Sequence, residues 1–256
     1  YLWEEVFTKV SLANIIQHFV RLDGSSKDLL NKRTLFFPRY HQLDVVRRLV
    51  DHAAHYGVGH TYLIQHSAGS GKSNSITWAA YQLIEAYPAT NDVHGSHGID
   101  QPLFDSVIVV TDRRLLDKQL RENIKEFSEV KNIIAPANKS SELKSALENG
   151  KKIIITTIQK FPFIVDGISD LSDKRFAVII DEAHSSQSGT AHSKMNEAMG
   201  KTEEEAEDIQ DLILQSMQSR KMRGNASYLA FTATPKNSTL EKFGQRQEDG
   251  SYRPFH

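Results

Sequence analysis

His66-Ser67-Ala68-Gly69-Ser70-Gly71-Lys72-Ser73 decides how this chain is read. The stretch is a glycine-rich turn that ends in Gly-Lys-Ser. The apolar run Thr61-Tyr62-Leu63-Ile64 precedes it and Ser75-Ile76-Thr77-Trp78-Ala79-Ala80 follows it, so the turn joins a strand to a helix. In that setting the backbone N–H groups of the turn and of the helix N-terminus converge on one point and favour an anion there. Ala68, Gly69, Ser70, Gly71, Lys72 and Ser73 are therefore expected to cradle the phosphates of ATP. Lys72 would reach the outer phosphates, and the Ser73 hydroxyl would ligate Mg²⁺. One position departs from the usual pattern: His66 stands where the first glycine belongs.

A second motif lies far downstream. Ala177-Val178-Ile179-Ile180 has the continuous apolar character of a buried parallel strand and ends in Asp181-Glu182-Ala183-His184. Alone, an Asp-Glu pair reads as a solvated strand end. Behind such a run, and downstream of a phosphate loop, Asp181 is placed to hold the Mg²⁺ and Glu182 to polarise the attacking water.

Bulk properties narrow the class. At 256 residues the chain suits one large domain, or one domain with an arm. It has no cysteine, which excludes disulfides and thiolate metal sites. No apolar run approaches the roughly 20 residues of a membrane span, and no signal-peptide pattern opens the chain, so a cytoplasmic protein with no membrane contact is expected. The net charge of −1 argues against a strongly basic nucleic-acid module, so any DNA contact must come from local patches. The chain starts at Tyr1 rather than Met, as expected of part of something longer.

Periodicity organises the rest. Leu12, Ile15, Ile16 and Phe19 share one helical face, with Ser11 as candidate cap. A second helix is expected from about His41 to Tyr56, ended by Gly57 and Gly59. Strands are expected near 61–65, 107–111, 152–156, 176–181 and 227–231, and helices near 73–86, 114–127, 140–148 and 191–199. That alternation predicts an α/β fold with a mostly parallel sheet covered by helices on both faces. Right-handed crossovers then bring the C-terminal strand ends, and the motifs on them, to one edge. Residues 88–102 read as a surface loop, in which His94 and His97 lack the acids a metal site needs. Residues 201–208 read as an acidic helix start.

Further segments carry a resemblance. Arg39-Tyr40-His41-Gln42 is similar to the adenine-reading glutamine motif of superfamily 2 helicases, although the same residues also suit an ordinary helix N-terminus. Residues 107–120, residues 153–161 and Phe231-Thr232-Ala233-Thr234-Pro235 resemble motifs Ia, Ib and III of that superfamily. The wording is narrower still. Asp112-Arg113-Arg114, Thr156-Thr157-Ile158-Gln159-Lys160-Phe161, Asp181-Glu182-Ala183-His184 with Gln187, and Phe231 to Lys236 together resemble the motor subunit of type I restriction–modification enzymes. The His66 departure fits that family too.

The resemblance implies a RecA-like P-loop NTPase domain over residues 35–256, the first of two in such motors, led by a helical linker over 1–34. It implies ATP and Mg²⁺ as ligands and double-stranded DNA, with modification and specificity subunits, as partners. Gln42 and Arg39 would hold the adenine. His184, Thr232 and Thr234 would couple the nucleotide to DNA, with His184 bonding toward Thr232 or Gln159. Arg113, Thr157 and Lys160 would meet the DNA backbone. The family's nuclease domain and arginine-finger domain are not expected within this chain. Glu142-Leu143-Lys144 has a nuclease-like spacing but lies in a helical pattern and reads as a solvated face.

Overall fold

The computed structural model describes residues 2–23, 29–67, 69–111, 134–137, 140–158, 161–181 and 224–256. Two short strands near the N-terminus, β1 (Arg21–Asp23) and β2 (Thr34–Phe36), pair antiparallel. The central sheet is built from the long apolar runs: β3 (Thr61–Gln65), β4 (Ser106–Thr111), β6 (Ile153–Thr157), β7 (Phe176–Asp181) and β8 (Ala226–Thr232). A short strand, β5 (Ile134–Pro136), joins them. The order is β3-β8-β7-β4-β6-β5, and every neighbouring pair is parallel. The small pair β9 (Gln245–Arg246) and β10 (Tyr252–Arg253) lies near the C-terminus.

Strand period and burial explain the layers. Val107, Val109, Ile153, Ile155, Ala177 and Ile179 belong to one apolar cluster, whereas Ile108, Val110, Ile154, Val178 and Ile180 belong to another. Successive side chains point to opposite faces, and both faces are covered, so the sequence shows unbroken apolar runs rather than alternation. The first face is covered by α1 (Lys9–His18), α2 (Tyr40–Tyr56) and α3 (Lys72–Ile84). The second is covered by α4 (Ser140–Glu148), α5 (Phe161–Asp170) and α6 (Asn237–Phe243). Parallel strands with helices on both faces, entered through a phosphate loop after β3, make this a RecA-like P-loop NTPase fold.

Details sharpen the sequence reading. Helix α1 is capped by Thr8, whose hydroxyl accepts from Ser11 N, rather than by Ser11 itself. Gly57 ends α2 at φ 82, where a Cβ would fall 1.9 Å from the His94 carbonyl oxygen. The N-terminal segment sits on the sheet's core: Ile15 and Phe19 are fully buried, and Trp78 Nε1 of α3 donates to the Phe19 carbonyl at 3.1 Å. Phe19 and Phe36 both stand against the Trp78 ring, at 5.5 and 5.7 Å. Glu142 and Lys144 lie on the exposed side of α4, with Leu143 buried between them. The helices expected at 114–127 and 191–199, and the acidic block at 201–208, lie outside the described residues. No helix among the described residues is long and apolar enough to cross a membrane.

Candidate active site

Strand register assembles the site. Gln65 pairs with Thr232, Phe231 with Asp181, Val110 with Ile180, and Thr111 with Thr157. The C-terminal ends of β3, β8, β7, β4 and β6 therefore form one edge. The phosphate loop leaves from its β3 end and Asp181 closes β7 beside it.

The loop turns into α3 at Gly71, the helix N-cap, which takes φ 84. A Cβ there would fall 2.3 Å from Gln42 Nε2, so a side chain is excluded on two counts. Lys72 follows as the first residue of the 13-residue helix. Its Nζ stands 3.4 Å from Asp181 Oδ1, and the two side chains are only 12 % and 3 % exposed. This pair joins two motifs that are more than a hundred positions apart in sequence. Both charges lie where the helix N-terminus adds partial positive charge. Ser73 is half-buried in the same first turn, and its carbonyl accepts from the Thr77 hydroxyl at 2.8 Å.

Three side chains brace the loop from behind. Gln42 is buried. Its Nε2 donates to the Ser70 and Gly71 carbonyls at 3.3 and 3.0 Å, and its Oε1 accepts from Arg39 N at 2.8 Å. Both ends of the amide are thus engaged, tying the start of α2 to the loop; reading an adenine edge requires this amide to exchange partners. Arg39 and Tyr40 are exposed beside it. His41 Nε2 lies 3.0 Å from the Ser70 carbonyl and so acts as donor. His66 is 3 % exposed, and its Nδ1 lies 3.3 Å from Ser70 Oγ. Its backbone N–H donates to the Thr232 carbonyl at 2.8 Å, which ties the loop to the end of β8. Burial, then the charges of His41, His256 and Lys72, push the His66 imidazole down to about 4, so the ring is neutral near pH 7. His256 pairs with Asp44 of α2 at 3.0 Å. Burial nonetheless lowers its pKa, against the opposing pull of Asp44.

The other expected positions fall as follows. Gly69 sits in the turn at φ 75. Thr157 is half-buried at the end of β6, Thr232 is buried at the end of β8, and Thr234 is exposed just beyond it. Ala68, Arg113, Lys160, Glu182 and His184 lie outside the described residues. Among the described residues no cluster of His, Cys, Asp and Glu could by itself hold a metal ion, His94 and His97 included. The residues do suit Mg²⁺ held jointly with phosphate. Ser73 and Asp181 offer a hydroxyl and a carboxylate, the hard oxygen donors this ion takes, and such sites use one or two carboxylates plus substrate oxygens. The bracing role of His41 and His66 was missed in the sequence, where His66 signalled only a departure from pattern.

A family model described as SWI2/SNF2 ATPase matches residues 41–206, from the start of α2 through both motifs. The chain belongs to the SWI2/SNF2 ATPase family. It is a helicase-like ATPase domain of superfamily 2. Among curated relatives, the type I restriction enzyme SsaAORF53P endonuclease subunit of Staphylococcus saprophyticus is 24 % identical over 91 % of this chain and 21 % of that protein. The putative type I restriction enzyme MjaVIIIP endonuclease subunit of Methanocaldococcus jannaschii is 22 % identical over 89 % of this chain and 21 % of its own length. This SWI2/SNF2 segment thus spans about a fifth of either relative. Among solved structures, the UvsW helicase from Bacteriophage T4 covers 97 % of this chain and 67 % of its own, at TM-score 0.48 and 12 % identity.

Proposed function

We propose that this segment is the ATP-binding and ATP-hydrolysing half of a double-stranded DNA translocase, within the motor subunit of a cytoplasmic type I restriction endonuclease. The observation that carries the reading is the Lys72–Asp181 pair at the mouth of the phosphate loop, in a chain whose curated relatives are named type I restriction endonuclease subunits. Residues 35–256 are the first motor domain, and residues 1–34 lead into it. Modification and specificity subunits are the partners, and sequence choice belongs to the latter.

Phosphoryl transfer depends on position and charge more than on covalent chemistry of the protein. Lys72 exchanges Asp181 for the outer phosphates when ATP enters. Ser73 and Asp181 would hold Mg²⁺, which would supply charge neutralisation at the phosphates. Glu182 orients the attacking water. Arg39 and Gln42 hold the base. Thr232 and Thr234, with His184, pass the nucleotide state along the strand ends. Arg113, Thr157 and Lys160 contact DNA phosphates, which gives affinity without sequence reading. A second reading is a remodeller-like motor that moves along duplex DNA without a nuclease; the match to a family model described as SWI2/SNF2 ATPase leaves it open.

The test uses the intact protein. ATPase is measured with and without linear duplex DNA, and movement is followed by displacement of a triplex-forming strand. The expected result is duplex-stimulated hydrolysis with triplex displacement that requires ATP. ATPase indifferent to DNA would overturn the translocase and leave a nucleotide-binding scaffold. Translocation in a protein that never cuts DNA, with its partner subunits present, would favour the second reading.

A further inference from the structure

His66 occupies the place of a glycine, yet it is no spectator side chain. It is 3 % exposed, with its ring 5.3 Å from His41, 6.0 Å from Phe231 and 6.1 Å from His256. Its Nδ1 has one partner, the Ser70 hydroxyl at 3.3 Å, and its buried Nε2 has none among the described residues. The Ser70 carbonyl is meanwhile held by His41 and Gln42. Ser70 is therefore gripped at both its polar oxygens, and the hydroxyl grip comes from His66 alone among the bonds described.

The orphaned Nε2 selects a tautomer. A buried N–H without an acceptor costs more than a buried lone pair without a donor. The proton then sits on Nδ1 and donates to Ser70 Oγ, and Nε2 keeps an unpaired lone pair. This assignment is inferred from the hydrogen-bond pattern. With Oγ accepting from His66, the Ser70 side chain is fixed against the imidazole, as its carbonyl is against His41 and Gln42.

We propose that His66 is a positioning residue of the phosphate loop, acting through Ser70 to hold the loop in its phosphate-binding shape. The inference rests on the ATP reading of the loop and deepens it. A glycine at 66 cannot make this contact, so the departure from the usual loop pattern substitutes a side-chain brace for backbone freedom. The groups facing the ring are His41 from α2, Lys72 from α3 and His256 from the C-terminal segment. All three disfavour a second proton on it, which preserves the single Nδ1–H that the brace needs.

Three substitutions separate a brace from a mere filler. Asn at 66 places a polar atom near the Nδ1 position; Gln places one near Nε2; Ala places none. In the intact protein, steady-state ATPase is measured for wild type, His66→Ala, His66→Asn, His66→Gln, Ser70→Ala and the double variant His66→Ala with Ser70→Ala, with melting curves as folding controls. His66→Ala and Ser70→Ala should each raise KM for ATP about three- to ten-fold, the range of one neutral hydrogen bond, with kcat changed less. His66→Asn should recover most of the loss and His66→Gln little. The double variant should be no worse than the poorer single one, because both remove the same interaction. Multiplying effects in the double variant, or equal rescue by Gln and Asn, would overturn the brace and leave His66 as packing. If His66→Ala fails to fold, Ser70→Ala and the Asn–Gln contrast still decide. A wild type that neither binds nor turns over ATP would instead sink the ATP reading itself, so the two failures are distinguishable.

Discussion

At the N-terminal edge of the central sheet, Asp105, Arg175 and Asn225 each stand one residue before a strand, on the neighbours β4, β7 and β8. There the polar groups bond to one another and to nearby backbone. The Asp105 carboxylate accepts from Arg175 N, Nε and Nη2 at 2.8, 3.0 and 3.3 Å. Asn225 Nδ2 donates to the carbonyls of Ile168, Leu171 and Lys174, and Lys174 Nζ reaches the last carbonyls of α4. At the C-terminal edge, His41, Gln42 and His66 instead converge on one loop, and Lys72 and Asp181 stand at its mouth. Burial resists ionisation of Asp105, yet the Arg175 bonds outweigh it and lower its pKa. The difference teaches that one edge spends its polar groups on closing the fold, whereas the other, the edge proposed for the nucleotide, gathers them on a single loop.

That contrast can be broken by substitution. The largest effect should come from Lys72→Ala. ATP turnover should fall by at least about 100-fold, the scale for losing one preorganised electrostatic contact, while the protein still folds. Turnover near wild type, with a normal melting curve, would dissolve the distinction between the edges. Trp78→Ala tests the same helix from its buried face. It removes a fully buried ring and its bond to Phe19, and should cost about 3–5 kcal/mol in urea unfolding. A cost below about 1 kcal/mol would mean that the N-terminal segment is not seated on α3.

A smaller effect belongs to Arg175→Met. Asp105 is partly exposed, so its lost partner is partly replaced by water, and the expected cost is about 1–3 kcal/mol. ATPase per folded molecule should be unchanged, as measured by activity normalised to the folded fraction. The last effect is acid sensitivity, which shows only within a narrow pH window. His66 sits near 4 in the folded chain against an ordinary 6.5, so the unfolded state binds more protons between those values. Its contribution to stability is complete above pH 6.5 and is lost as pH falls toward 4. Urea midpoints across that window should fall less steeply for His66→Asn than for wild type; equal slopes would mean that the ring titrates normally.

Much of the fold was legible because β3, β4, β6, β7 and β8 are buried on both faces, which leaves unmistakable apolar runs. The segments that escaped lack that signal. Strand β5 is three residues long and ends in Pro136 at the edge of the sheet, where a missing N–H is tolerated. Strands β1 and β2 are equally short. Helix α5 carries Pro162 and Gly167, which depress helix propensity. At the site, the placement of Lys72 and Ser73 in the first turn of a helix and of Asp181 at a strand end was readable from the local strand–turn–helix pattern. The bracing by His41, across 29 positions, and the pair of His256 with Asp44, across 212, come from tertiary packing that no spacing rule encodes; the His66–Ser70 contact spans only four positions but depends on how the loop turns.

The most direct measurement is the shift in melting temperature of the intact protein on adding Mg²⁺ with ATP or a slowly hydrolysed analogue, for wild type, Arg175→Met and Lys72→Ala. A ligand at 100 times its Kd stabilises the folded state by about 2.7 kcal/mol, a shift of several degrees. Wild type and Arg175→Met should rise together, each from its own baseline, while Lys72→Ala stays still. An equal rise in Lys72→Ala, or none in wild type, would contradict the assignment of the C-terminal edge as the nucleotide site.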